Sequence, residues 1–339
     1  MLHLLIIVAM PLLLTVLTLP LARILGKRLG AWDHPDELGI HSAPTARSGG
    51  IAILLGITVS LELMKLLPGA EYDPRQAVAI SIGTLAFFFV GLLDDLREIK
   101  PYVKSIGLVL AALLFVLLSP YFRITGFERL DIIIAVVALV GGANALNFID
   151  GMDGLAAGMT VIAALGFVAL GRLTGEPTAE TWALILAAAG LAFWLANKPP
   201  ASIFMGDCGS LVLGMSLTGV MLVLGSKGGT RLVSGAIVLS PLILDTALAI
   251  ARRALLRRDI FSGDRRHIYD LIYARTGSVW RTDALMYLMG LAFALLGVGS
   301  LYVPVWAAGS AVFAAYAVLT WQAARLGMFA PLADKPAAS

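Results

Sequence analysis

Cysteine is almost absent: Cys208 is the single one in 339 residues, so no disulfide can form within the chain. Charge is scarce too, at 14% Asp, Glu, Lys and Arg against about 25% in ordinary soluble domains. That deficit excludes a protein wholly surrounded by water. The net charge of +3 is too small to imply a nucleic-acid partner. The first apolar stretch has no basic segment ahead of it and is too long for the core of a cleavable leader, so no signal peptide is expected. No internal repeat is visible, which weighs against a secondary transporter built from two related halves.

What the chain does have is apolar length, with 59% hydrophobic residues distributed from end to end. A membrane helix needs about 20 such residues. Eleven candidate spans follow, near Leu2–Leu25, Ser48–Leu67, Gln76–Leu93, Ser105–Tyr121, Leu130–Leu146, Leu155–Leu173, Thr181–Ala196, Leu211–Gly225, Leu232–Ala251, Ala284–Tyr302 and Val305–Ala324. The expected fold is an all-α integral membrane protein. One polytopic transmembrane domain covers 1–325 and a short cytoplasmic tail covers 326–339. The loops after odd-numbered spans, with the tail, hold 18 of the 25 Lys and Arg. Cytoplasmic loops carry that excess, so the N-terminus is expected outside and the C-terminus inside.

Every unusual constellation then falls on the cytoplasmic face. Asp94 and Asp95 close an apolar span. Two acids there can simply mark the water interface, or they can bind Mg²⁺ and activate a nucleophile. Asn147, Asp150 and Asp153 lie in NFIDGMDG; one acid suffices to cap the following helix, yet two acids and an amide are present. FMGDCGS presents Phe204 and Asp207 at another helix start, as a turn and cap or as a metal ligand beside an aromatic face. Pro241 is expected to kink its span. Asp245, deep in the same span, is either functional or paired with an arginine of the next turns. Arg265, Arg266 and His267 crowd a basic loop suited to anion binding, and His41, Arg47 and Lys104 can add to that field. Acids, bases and glycine-rich helix starts on one membrane face suit a divalent metal bridging a diphosphate. The reading from residues alone is phosphoryl-type transfer between a soluble nucleotide and a lipid.

GLLDDLREIKPYVK, NALNFIDGMDGLAAG, FMGDCGSLVLG and DRRHI, in this order, resemble the polyprenyl-phosphate N-acetylhexosamine-1-phosphate transferase family across roughly Asp33 to Asp270. The resemblance implies transfer of an aminosugar 1-phosphate from a UDP-N-acetylaminosugar to undecaprenyl phosphate, with release of UMP. It implies Mg²⁺, with Mn²⁺ as a substitute, a bacterial inner-membrane location among membrane lipids, and a homodimer as a partner state. It assigns Asp207 to the metal, Asp94, Asp95 and His267 to catalysis, and Asn147, Asp150, Asp153 and Phe204 to the nucleotide. Lys104, Arg47, Arg265 and Arg266 are left for phosphate. There are two departures. The late motif runs His267-Ile268-Tyr269-Asp270 where the family commonly has further histidines, and Ala46 stands where a proline is usual before Arg47. The first leaves the sugar open. The muramoyl-pentapeptide branch of the same family, a transporter and a non-catalytic scaffold are the alternatives.

Overall fold

The computed structural model describes residues 2–33, 44–64, 73–119, 122–257, 259 and 266–329. His41, Arg265 and 330–339 of the expected tail lie outside the described residues. The chain is an all-α, multi-pass membrane bundle, with thirteen α-helices among the described residues: α1 (Leu2–Leu29), α2 (Gly49–Met64), α3 (Pro74–Arg97), α4 (Pro101–Leu118), α5 (Glu128–Ile149), α6 (Leu155–Thr174), α7 (Pro177–Asn197), α8 (Gly206–Gly225), α9 (Gly229–Val238), α10 (Ser240–Leu255), α11 (Ile268–Thr276), α12 (Val279–Gly299) and α13 (Val305–Arg325).

Among the described residues nine helices are long and apolar enough to cross a membrane, and ten if α9 and α10 form one bent span. The expected second span is helical as α2 over 16 residues, and 65–67 of it lie outside the described residues. The expected ninth span is broken: α9 and α10 meet at 71°. Pro241 sits in the first turn of α10, where its missing N–H and its ring prevent the preceding helix from continuing.

Helix α8 is the axis, buried over all of its 20 residues. It is apolar on every side, as a helix with no water-facing stripe should be. α2, α3, α5, α7 and α9 pack around it. The outer helices do the opposite. Leu17 of α1 is 71% exposed, Leu117 of α4 65% and Phe313 of α13 76%, which suits contact with lipid tails and not with water.

Local signals set the turns that matter for the site. Asp73 caps α3 by accepting the Arg75 N–H at 2.8 Å, with Pro74 as first helical residue, where a missing N–H costs nothing. At the other end Glu98 takes a left-handed φ of 46° and Pro101 opens α4. The chain therefore reverses within a few residues. That reversal brings Asp94, Asp95 and Lys104 to the same end of the bundle.

One feature departs from a purely helical expectation. Trp32–Asp33 and Thr45–Ala46 form a short antiparallel ribbon, and Arg47 continues it as an isolated bridge to Phe204. The Phe204 N–H donates to the Ala46 carbonyl at 2.9 Å, and the Gly49 and Gly50 N–H groups donate to Phe204 and Met205 carbonyls, each at 2.9 Å. The first loop is thereby stitched to the segment that opens α8.

Candidate active site

The N-terminus of α8 is where the site is built. A Cβ on Gly50 would collide with the backbone of Cys208 and Gly209, and one on Gly91 with the backbone of Asp207. Only glycine lets α2 and α3 approach this closely. The approach puts the end of α3 directly over the start of α8.

The paired aspartates do different things there. The Asp95 side chain is fully buried, and its two oxygens accept the Asp207 and Cys208 N–H groups at 2.9 Å each. It satisfies donors that a helix start otherwise leaves open. Asp94 accepts the Ile99 N–H at 3.0 Å and the Lys104 ammonium at 2.9 Å. Lys104 also contacts Asp207 directly, so one ammonium bridges two carboxylates. The other Asp207 oxygen accepts the Asn147 amide at 2.9 Å, and the same amide nitrogen reaches the Ser210 hydroxyl at 2.9 Å.

Arg47 closes the ring, with Nε 3.9 Å from Asp95 and Nη2 3.9 Å from Asp207. Burial works against its charge, but Asp95 and Asp207 outweigh that and hold its pKa above the ordinary value. A cavity of about 170 Å³ opens between Arg47, Asp94, Asp95, Asp207, Glu98 and Ile99. Asp150, just past α5, has its carboxyl pushed well above the usual range, first by burial and then by the charge of Asp207.

The remaining expected residues fall into two adjoining groups. Asp153 accepts the Ala201 N–H at 2.8 Å, which ties the DGMDG loop to the segment leading to Phe204. His267 lies against Asp245, Nδ1 to Oδ2 at 2.5 Å, with both side chains buried. Asp245 was expected to be functional or to pair with an arginine of the next turns; its partner is this histidine, and Arg252 donates instead to the Arg266 carbonyl at 2.5 Å. Phe148, one residue after Asn147, touches the His267 ring and so joins the two groups.

Several participants carried no distinctive signal in sequence. Glu98 lines the cavity because its left-handed turn aims it there. Asn197 accepts the Gly154 N–H at 3.0 Å and donates to the Ile203 carbonyl at 2.9 Å, bracing the start of α6 against the segment before Phe204. Asp283, 1% exposed, stands beside Gly154, and among the described residues neither of its oxygens has a hydrogen-bond partner. No sequence pattern marks a lone Asn or Asp on an apolar helix as a bridge between elements.

A Mg²⁺ ion in phosphate chemistry needs only one or two carboxylates, with phosphate oxygens and water completing its shell. Asp207 and Asp94, already gathered around a single cationic nitrogen, fit that demand. Among the described residues no group of three acid, histidine or cysteine side chains offers an all-protein cage, so any such ion would depend on substrate oxygens.

Residues 77–225 match the family described as glycosyl transferase family 4, a stretch that holds Asp94, Asp95, Lys104, Asn147, Asp150, Asp153, Phe204 and Asp207. The chain is 32% identical over 296 residues to a probable undecaprenyl-phosphate N-acetylglucosaminyl 1-phosphate transferase of Bacillus subtilis, covering 84% of this chain and 81% of the relative. It is 31% identical over 305 residues to a decaprenyl-phosphate N-acetylglucosaminephosphotransferase of Mycobacterium tuberculosis, covering 78% and 74%. A phospho-N-acetylmuramoyl-pentapeptide-transferase of Bacillus pumilus is 27% identical over 297 residues, covering 82% and 87%.

Proposed function

The chain belongs to the polyprenyl-phosphate N-acetylhexosamine-1-phosphate transferases of glycosyl transferase family 4, and from that premise we propose how its own residues carry the reaction. The chain transfers an N-acetylaminosugar 1-phosphate from a UDP-sugar to a polyprenyl phosphate in the bacterial inner membrane. The sugar is N-acetylglucosamine or a related N-acetylhexosamine, and the lipid is undecaprenyl phosphate. The observation that carries the reading is the cluster of Lys104, Arg47, Asn147, Asp94 and Asp207 at one helix start, close to an apolar groove. That groove, about 300 Å³, runs between α5, α8 and α10 past Gly142, Ala145, Thr218, Leu239, Thr246 and Ile250. In this reading it holds the prenyl chain, and the lipid phosphate reaches from it to the acids at the ends of α5 and α8.

A lipid phosphate oxygen attacks the sugar-linked phosphorus, the bond to the uridine-side phosphate breaks, and UMP leaves. A phosphate monoester loses its second proton near pH ~6, so at neutral pH the nucleophile is largely formed already. Asp94 takes the remaining proton when the monoanion binds. Lys104 and Arg47 turn from their carboxylate partners to the phosphates, and fixed cations of this kind stabilise charge that builds in the transition state. Asp95 stays in place and holds the α8 start rigid. Asp153 and Phe204 bind the nucleotide, with the Phe204 ring under the base, and Asn147 keeps Asp207 aimed. Asp207 would hold Mg²⁺, with Asp94 beside it, and the ion would supply Lewis-acid neutralisation of the transferring phosphate. The loops bearing these residues face the cytoplasm, where UDP-sugars are made, and the positive-charge bias supports that orientation together with eleven spans.

The test is UMP release by purified protein in detergent with Mg²⁺, undecaprenyl phosphate and, one at a time, UDP-GlcNAc, UDP-GalNAc and UDP-MurNAc-pentapeptide. Release that needs both lipid phosphate and Mg²⁺ is expected with one of the first two. Release only with the third would move the chain to the muramoyl-pentapeptide branch. Release without lipid phosphate would remove the transfer reading.

A further inference from the structure

The late motif HIYD departs from a histidine-rich pattern, and the structure gives each of its residues a task. His267 stands at the N-cap of α11, and its backbone N–H donates to the Asp270 carboxylate at 3.0 Å. The His267 ring stacks on Tyr269, with centroids 5.7 Å apart and planes 6° apart, and tilts against Phe148 at 5.7 Å. The Tyr269 hydroxyl leans on Gly151, where a Cβ would collide with it, and donates to the Phe148 carbonyl at 3.4 Å. The Arg253 guanidinium lies 5.5 Å from the Phe148 ring centre. The imidazole is therefore walled by two rings that are themselves braced against the DGMDG loop.

Asp245 comes from a different element, α10, and 22 residues earlier. Its Oδ1 accepts the Ile268 N–H at 2.7 Å while its Oδ2 meets His267 Nδ1 at 2.5 Å. Both residues are buried, Asp245 completely and His267 to 4% exposure. Oδ1 is already occupied by the Ile268 N–H, and where the acid is a carboxylate, which only accepts hydrogen bonds, Oδ2 takes its proton from Nδ1. That choice sets the tautomer of a neutral ring and turns Nε2, on the opposite edge, away from α10.

We infer that Asp245 is the positioning residue of His267: it fixes the proton on Nδ1 and the plane of the ring, so that Nε2 is presented to the UDP-sugar. This rests on the transferase reading above. A buried acid in a membrane helix is expensive, and a mere tie between α10 and α11 needs only the backbone contact to Ile268. The second oxygen goes to the ring. Partners that orient a functional histidine typically change activity or affinity by 10–100-fold when removed.

Asp245→Asn separates the two roles. It keeps the shape and an acceptor for Ile268 but offers an amide N–H₂ to Nδ1, which drives a neutral ring to the other tautomer. Expected is a fold of unchanged Tm, a drop of roughly 10–100-fold in kcat/KM for the UDP-sugar, and an unchanged KM for undecaprenyl phosphate. In the His267→Ala background the same substitution should cost less than about twofold, since coupled residues are not additive. Full additivity with His267→Ala, or a loss confined to Tm, would leave Asp245 as a structural tie and overturn the inference. A readout independent of turnover is the ¹⁵N spectrum of labelled histidine, with His267 assigned by its absence in His267→Ala. Protonated Nδ1 in the wild type and protonated Nε2 in Asp245→Asn support the inference even if no donor proves active, and a bare Nδ1 in the wild type overturns it.

Discussion

The cluster at the start of α8 and the cage around His267 are both charged, both at one end of the bundle, and built on opposite principles. In the first, Lys104, Asp94 and Asp207 keep 12–19% of their side chains accessible and Arg47 37%. They bond chiefly to one another. Those contacts are ion pairs that incoming phosphate and metal can replace one for one. In the second, Asp245 is sealed, and its oxygens go to the Ile268 N–H and to the His267 ring. Asp245 cannot change partners without opening the core. The difference separates groups that change partners in a reaction from groups that hold others still.

The most direct way to break this contrast is Asp207→Asn. Turnover should fall by at least about three orders of magnitude, the scale for losing a principal electrostatic stabiliser, while Tm stays within a degree or two. Near-wild-type Mg²⁺-dependent UMP release from this variant would dismiss Asp207 as the metal ligand.

Next comes the aspartate pair, which the geometry divides between the two principles. Asp94→Asn should cost activity, about 10²-fold, with little effect on Tm. Asp95→Asn removes an acceptor from the α8 start and should destabilise by about 1–2 kcal/mol, seen as an earlier thermal transition. Equal losses of both kinds in the two variants would erase the proposed division.

Phe204→Ala sharpens the picture on the nucleotide side. Stacking on a base contributes about 1–3 kcal/mol, so the KM for the UDP-sugar should rise at least about fivefold with kcat nearly kept. An unchanged KM removes the ring from the base.

The smallest effect belongs to Asp150. Its carboxyl is held well above the usual range by burial and by Asp207, so protonation favours the folded state. The group burdens folding least below the ordinary carboxylate pKa and most once the pH has risen through the raised value. Asp150→Asn should therefore raise Tm at pH 8 and not at pH 4, measured in EDTA so that metal plays no part. A uniform shift at both pH values would assign the effect to packing.

Much of the site was legible because its chemistry sits in short glycine-flanked runs of acid and amide, which stand out in an apolar chain. Asp94, Lys104, Asn147 and Asp207 do meet, although they are spread over more than a hundred residues. Hidden from sequence was the partner of Asp245. Its nearest cations in the chain are arginines of its own helix, yet the bend at Leu239 and the return of the chain bring His267 against it. Asn197 and Glu98 were hidden for a related reason: a single polar residue at a helix end is ordinary until a neighbouring element is placed against it.

By itself the sequence determined that the chain is a multi-pass membrane protein, that its polar chemistry is gathered in a few loops, and which side chains are candidates for phosphate and metal. Hydrophobic length and the rarity of charge in a bilayer are local properties, readable residue by residue. Tertiary structure alone decided which acid caps a helix and which pairs with Lys104, that the first loop pairs with the segment before α8, and that an aspartate of α10 holds the histidine. Those outcomes depend on which backbone donors are left open where helices meet, and no stretch of sequence carries that information alone.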